Sequence, residues 1–266
     1  MDFHKGDRSK PAFQAFTLIE LLVLIVSVSM LAAILFPVLS RGRENSLQSH
    51  CTSNLRQLGL GWMQYARDYD QKTMRFSTSK SGKTVYWWGS FDGTKLRPSE
   101  GLLGPYLKSV NVLACPAFKN NSRPVIGSTG YAYNNTYLSP VSYGPAPDYT
   151  ETHKVVALTQ IKSPTETVVM ADSARINIGN GDPVLESNTY LSTPRTAYPT
   201  LHARHSSLAN VLWADGHVNT AKPIFRTGGF GYSEDGPYYG KEFQLQNLGD
   251  LDHDGDLETN ECFDLD

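Results

Sequence analysis

The sequence predicts an α+β protein, with a long N-terminal helix packed on an antiparallel β-sheet body. Three observations predict it. Residues 16–39 form an apolar run broken only by Thr17, Glu20, Ser27 and Ser29. Leu47, Cys51, Leu55, Leu58, Trp62, Tyr65 and Tyr69 then recur at spacings of 4, 4, 3, 4, 3 and 4, one face of a helix. After residue 73 the chain becomes rich in Gly, Pro, Ser, Thr, Asn and Tyr, with short apolar runs between turn signals.

The 266 residues suffice for one sizeable domain or two small ones. A formal charge of −2 favours no nucleic-acid partner. None of the three cysteines, Cys51, Cys115 and Cys262, sits in a C-x-x-C pair, so neither a zinc ribbon nor a thioredoxin-type site is indicated.

Residues 1–15 are polar and carry Lys5, Arg8 and Lys10. The following 16–39 would span about 36 Å as a helix, enough to cross a bilayer. The basic residues ahead of the run place the N-terminus in the cytoplasm and the body outside it. A secretory signal peptide has a shorter apolar region followed by a small-residue cleavage site. Here the small residue, Ala15, comes first. From these features alone the segment is a single-span anchor or a processed one. Glu20 stands out, because a carboxylate at the edge of hydrocarbon costs a few kcal/mol unless it has a partner.

A basic polar leader, a small residue, then "FTLIELL" and a long apolar helix resembles the class III signal of type IV prepilins and type II secretion pseudopilins. The resemblance implies a cleaved leader, 1–15, cut between Ala15 and Phe16 by a prepilin peptidase that also methylates the new amino group. Family members usually carry Gly before the cut, where this chain has Ala15. It implies a transmembrane and filament-core helix at 16–39, in the bacterial inner membrane before assembly with other pilin or pseudopilin subunits. Glu20 would then pair with the free amino terminus of Phe16 on a neighbouring subunit. Pro37, which lacks an N–H, should kink or loosen this helix.

Residues 40–72 continue as an amphipathic helix to about Asp70, with Gly59 and Gly61 as soft points. "CTSNLRQLGLGWMQYARDYD" also resembles a large bacterial subgroup of these proteins, often called DUF1559. Residues 73–247 form the β-rich body. "TVYWWGSF", "VNVLACP", "GYAYNNTYL" and "ETVVMADS" read as short strands. Aromatics such as Trp87, Trp88, Tyr131 and Tyr133 fit core packing, with a sugar-binding face as the rival reading. Cys51 lies on the helix stripe and Cys115 at a strand end, so an exported body is expected to pair Cys51 with Cys115 and leave Cys262 free.

"HSSLANVLWADGHV" reads as a strand, an Asp215-Gly216 turn and a return strand. His205, nine residues, then Asp215-Gly216 matches the H-x9-DG signature of the same subgroup. Spacing alone leaves three roles open. His205 could bond Asp215 or the turn backbone; His202, His205, Asp215 and His217 could hold a metal; or Ser206 or Ser207 could serve a hydrolase triad, although no nucleophile elbow is present.

The tail, 248–266, contains "DLDHDGDLETNE", which fits D-x-[DN]-x-[DN]-G-x5-E without a gap. Asp250, Asp252 and Asp254 would offer carboxylates to Ca²⁺, Asp256 its carbonyl and Glu261 a bidentate closure, with Gly255 turning the chain. No exiting helix follows, so this is an isolated loop. Major pseudopilins also carry a C-terminal calcium site, with a different ligand pattern. The expected protein is a non-enzymatic filament subunit. The rival is a membrane-anchored, calcium-dependent binding protein, carbohydrate-directed or otherwise, that never polymerises.

Overall fold

The computed structural model describes residues 16–118, 123, 125–127, 129–147, 151–177, 183–194, 198–226 and 240–265. The expected leader, 1–15, with Ala15, lies outside the described residues. The chain divides into two compact units, Met1–Arg43 and Glu44–Asp266. Its first element is helix α1, Leu18–Asp68.

In the N-terminal unit every residue from 16 to 39 is exposed, and the helix is long and apolar enough to cross a membrane. Its few hydroxyls are satisfied internally. Ser27 donates to the Leu24 carbonyl at 2.8 Å and Ser29 to that of Ile25 at 2.7 Å, as an apolar solvent requires. Pro37 lies inside α1, which continues past it.

In the second unit, the stretch of α1 from Glu44 onward buries Cys51, Leu55, Leu58, Trp62 and Tyr65. Gly59 and Gly61 are buried too, and they serve close packing rather than softness. A Cβ on Gly59 would lie 2.6 Å from Leu212 Cδ1. The helix stops where Asp70 and Gln71 both turn to φ +56° and the Gln71 N–H donates back to the Ala66 carbonyl.

The first sheet is a meander in the order β1-β2-β3-β4: β1 (Ser77–Lys80), β2 (Lys83–Tyr86), β3 (Gly89–Phe91) and β4 (Leu96–Arg97). The run expected as one strand over 84–91 is therefore a hairpin, with Trp87 and Trp88 at its turn and both buried. "VNVLACP" is not a strand. Val110–Leu113 forms a 3₁₀ turn, started by Ser109, whose hydroxyl accepts from Asn111 N.

The remaining elements are β5 (Tyr131–Tyr133), α2 (Asn135–Leu138), β6 (Val141–Tyr143), β7 (Glu151–His153), β8 (Val168–Asp172), β9 (Arg175–Asn177), β10 (Val184–Glu186), β11 (Leu201–His202), β12 (Ala209–Trp213), β13 (Val218–Ala221), α3 (Gly240–Leu245) and β14 (Leu248–Gly249). The central sheet has the order β13-β12-β8-β5, all antiparallel, and β6-β7, β9-β10 and β11-β14 are two-stranded ribbons. The α+β class holds, with the body divided into several small sheets rather than one.

The central sheet is covered on both faces, which is why its strands read as continuous apolar runs. Tyr131, Tyr133 and Leu212 join α1 in one core cluster. Their strand neighbours Ala132, Val211 and Trp213 face a second cluster with Leu251, Cys262 and Phe263. The tail is thus part of the body and not a separate appendage. Val168 N donates to the Cys262 carbonyl at 2.8 Å, and Asn134 Nδ2 ties the carbonyls of Val168 and Phe263 together.

His205 and Leu208 exchange both backbone hydrogen bonds at 3.0 Å across a two-residue turn, Ser206-Ser207, with φ of 51° and 65°. Side chains other than Gly, Asn and Asp fit that turn poorly. Changing Ser206→Asn and Ser207→Gly together is expected to raise stability by about 1 kcal/mol. Denaturant unfolding with an unmoved or lowered midpoint would count against this turn geometry.

Candidate functional site

Three places carry the chemistry expected from sequence. At the helix start, Glu20 forms a capping box with Thr17. Thr17 N donates to Glu20 Oε2 at 2.9 Å, and Glu20 N donates to Thr17 Oγ1 at 3.3 Å. Within the single chain Glu20 therefore has a local partner. It also places a negative charge at the positive end of a long helix. The spacing Thr17-x-x-Glu20 carries the signal of this box in the sequence.

The H-x9-DG residues do not form one site. Asp215 and Gly216 make the turn between β12 and β13. Asp215 Oδ1 accepts from His217 N at 3.0 Å and contacts His217 Nδ1 at 2.6 Å. Gly216 takes φ +91°, a conformation that favours glycine. His205 does not bond Asp215 or its turn, contrary to the first expectation. It is fully buried at the opposite end of β12, where it meets Asp172, Glu44 and Cys115. The second expectation fails too: among the described residues, His202, His205, Asp215 and His217 are not brought together around a metal position. His202 packs edge-on against Phe118, while His217 stacks on Trp213. Ser206 and Ser207 are exposed at the tip of their turn while His205 is buried, so no Ser-His-Asp arrangement forms there.

What surrounds His205 is a buried polar network. The Asp172 carboxylate accepts from Asn210 N at 2.7 Å and Asn210 Nδ2 at 2.8 Å. Asn210 Oδ1 accepts from Thr52 of α1. Arg204 donates to the Ser173 carbonyl and lies 4.0 Å over the Phe118 ring. Burial pushes the Asp172 carboxyl up to about 6. Burial, then the Arg204 charge, brings His205 down to about 4, so its imidazole is neutral at pH 7. Beside it Cys51 and Cys115 form a disulfide, their Cα atoms 5.3 Å apart. The third cysteine, Cys262, is a free, buried thiol in the second core cluster. Sequence reasoning missed Asp172, Arg204, Asn210 and Glu44. The one available signal was the acidic end of the buried run "VVMAD".

In the tail, Asp252, Asp254 and Glu261 offer carboxylate oxygens within 4.8 Å of one another. Gly255 turns the chain at φ +85°, and its N–H donates to Asp252 Oδ1 at 2.8 Å. Asp252 Oδ2 is buried without a hydrogen-bond partner, and Asp252 as a whole is only 8% exposed. Burial raises the Asp252 carboxyl above the usual range, and the Glu261 and Asp254 charges push the same way. Asp250 does not join them. It is held by Arg226, with Nε to Oδ2 at 2.5 Å and Nη2 to Oδ1 at 2.8 Å. Its backbone pairs with Ile224. The guanidinium holds this carboxylate by two parallel charge-assisted hydrogen bonds. The Asp256 carbonyl accepts from Thr259 N at 3.0 Å, closing a turn inside the loop.

The aromatic residues considered for a sugar-binding face are mostly core. Trp87, Trp88, Tyr131 and Tyr133 are buried, and Tyr143 is the exposed exception among those described. Comparisons of the chain with protein-family models, with curated proteins and with solved structures found no match.

Proposed function

We propose that this chain is a pilin-like or pseudopilin subunit. It is made as an inner-membrane precursor and cut between Ala15 and Phe16 by a prepilin peptidase. It then joins other such subunits in a type IV pilus or type II secretion-type filament. The observation that carries this reading is the apolar helix with every residue from 16 to 39 exposed. So much contiguous apolar surface needs lipid before assembly and neighbouring helices after it. Its single acidic residue sits at the start, where the processing motif puts it. On this reading the Glu20 carboxylate exchanges its Thr17 contacts for the amino terminus of Phe16 on a neighbouring subunit, and that pairing sets the axial register. Glu20→Ala should leave the protein membrane-inserted but fail to enter filaments alongside wild-type subunits. Unchanged incorporation would remove the pairing role.

The acidic loop supports calcium binding in the same protein. The donors are oxygens, as a hard cation needs, and one is buried and unpartnered. Asp252, Asp254 and Glu261 would hold the ion, which neutralises the clustered charge and clamps a tail already packed on the central sheet. With Ca²⁺ at about a hundredfold over Kd, the fold should gain about 2.7 kcal/mol, several degrees in a melt. Chelator should reverse the gain and Asp252→Ala abolish it. A melt indifferent to calcium and chelator alike would leave the loop without an ion. Calcium binding in a protein that keeps residues 1–15 and never polymerises would favour the anchored binding protein instead.

A further inference from the structure

The disulfide and the histidine beside it are placed as the two halves of a metal site. Cys115 Sγ lies 3.5 Å from His205 Nε2, and ligand atoms of Cys51, Cys115 and His205 all fall within 4.8 Å of one another. The other ring nitrogen, Nδ1, points to the Glu44 carboxylate at 3.6 Å. A histidine with one nitrogen toward sulfur ligands and the other toward an orienting carboxylate is the arrangement metal-binding histidines use. In the disulfide-bonded state these groups are poorly served. His205 Nδ1, Glu44 Oε1 and Asp172 Oδ1 are buried and without hydrogen-bond partners, which native interiors seldom leave. Asp172 Oδ2 is also 3.5 Å from Nε2, but it does not join the set of atoms within 4.8 Å of one another.

We propose that the reduced chain holds a Zn²⁺ ion here, through the thiolates of Cys51 and Cys115 and Nε2 of His205, with water in the fourth position. Glu44 orients the His205 ring. The ion is lost when the disulfide forms. Two thiolates on one zinc, each about 2.3 Å from it, stand about 3.8 Å apart. Cα atoms 5.3 Å apart can meet that with side-chain rotation alone. Binding releases two thiol protons: Zn²⁺ plus two R–SH gives Zn(SR)₂ plus 2 H⁺. Oxidation by a disulfide-bearing oxidant forms the Cys51–Cys115 bond and frees Zn²⁺. The two electrons, with two protons from solvent, convert the oxidant to its dithiol. The pocket would thus hold α1 against the body before the covalent bond does so.

The test uses the full-length protein in detergent micelles, with Ca²⁺ in excess to occupy the tail. It is reduced anaerobically with a phosphine in denaturant, which becomes the phosphine oxide as two thiols form. It is then refolded and titrated with Co²⁺ followed by Zn²⁺. The expected result is a sulfur-to-cobalt charge-transfer band that saturates at one Co²⁺ per chain and is bleached by Zn²⁺. The unreduced protein gives none. Cys51→Ser abolishes the band and Cys262→Ser leaves it. Glu44→Gln, at a half-buried side chain, retains the wild-type circular dichroism but binds about 10–100-fold more weakly. A reduced chain that refolds only with Zn²⁺ also supports the site. The proposal is overturned if the reduced, refolded protein shows no such band, if the band survives Cys51→Ser, or if Glu44→Gln binds as tightly as wild type. Failure to refold both with and without Zn²⁺ overturns it as well.

Discussion

Replacing Cys51 and Cys115 together by serine is expected to cost about 4 kcal/mol in metal-free buffer. The bond closes a loop between residues 64 apart in sequence, and the loop-closure entropy it removes from the unfolded chain is of that size. The position adds to the effect. Cys51 lies on the buried face of α1, where Tyr131 OH donates to its carbonyl, and Asn54 one turn on donates to the Ala114 carbonyl. The bond thus joins the helix to the segment that follows the 3₁₀ turn Val110–Leu113. Denaturant unfolding should show a lower midpoint, with a steeper slope because the unfolded chain expands. A loss below about 1 kcal/mol would mean that the native bond stores strain that offsets the entropy.

The second large effect is expected at Arg226. Its guanidinium grips Asp250, whose side chain is fully buried, and burial already holds the Asp250 carboxyl above its usual range against the pull of Arg226. Arg226→Ala would leave that carboxyl unpaired in the interior, at a cost of about 3–5 kcal/mol. The double change Arg226→Met with Asp250→Leu should be much milder, since neither charge is then stranded. If Arg226→Ala alone were nearly neutral, Asp250 would be free to turn toward the loop. The five-residue calcium pattern read from sequence would then regain its first ligand.

That contrast shows which features the sequence carries and which it does not. The stripe from Cys51 to Tyr65 was legible because a helix repeats every 3.6 residues and one side of it faces the central sheet. The β12–β13 turn was legible because Asp215-Gly216 states its own geometry. The grip of Arg226 on Asp250 was not legible because the two lie 24 residues apart and no local rule links them. The same holds for His205. Its neighbours Asp172 and Glu44 come from a strand and a helix far away in sequence, while the nearby Asp215 faces elsewhere. The stretch 110–113 failed as a strand because Ser109 caps a 3₁₀ turn there. That local signal was present, and the apolar run outweighed it. Trp87 and Trp88 failed likewise: aromatic β-formers can sit at a buried turn when their rings fill the core.

The most direct test of the filament reading is the N-terminus of the protein isolated from its native membranes, read by intact-mass and terminal-peptide spectrometry. The proposal predicts a chain that begins at Phe16 and carries one methyl group on its amino nitrogen. Residues 1–15 still attached, in cells with an active prepilin peptidase, would contradict it and leave the chain as an anchored protein.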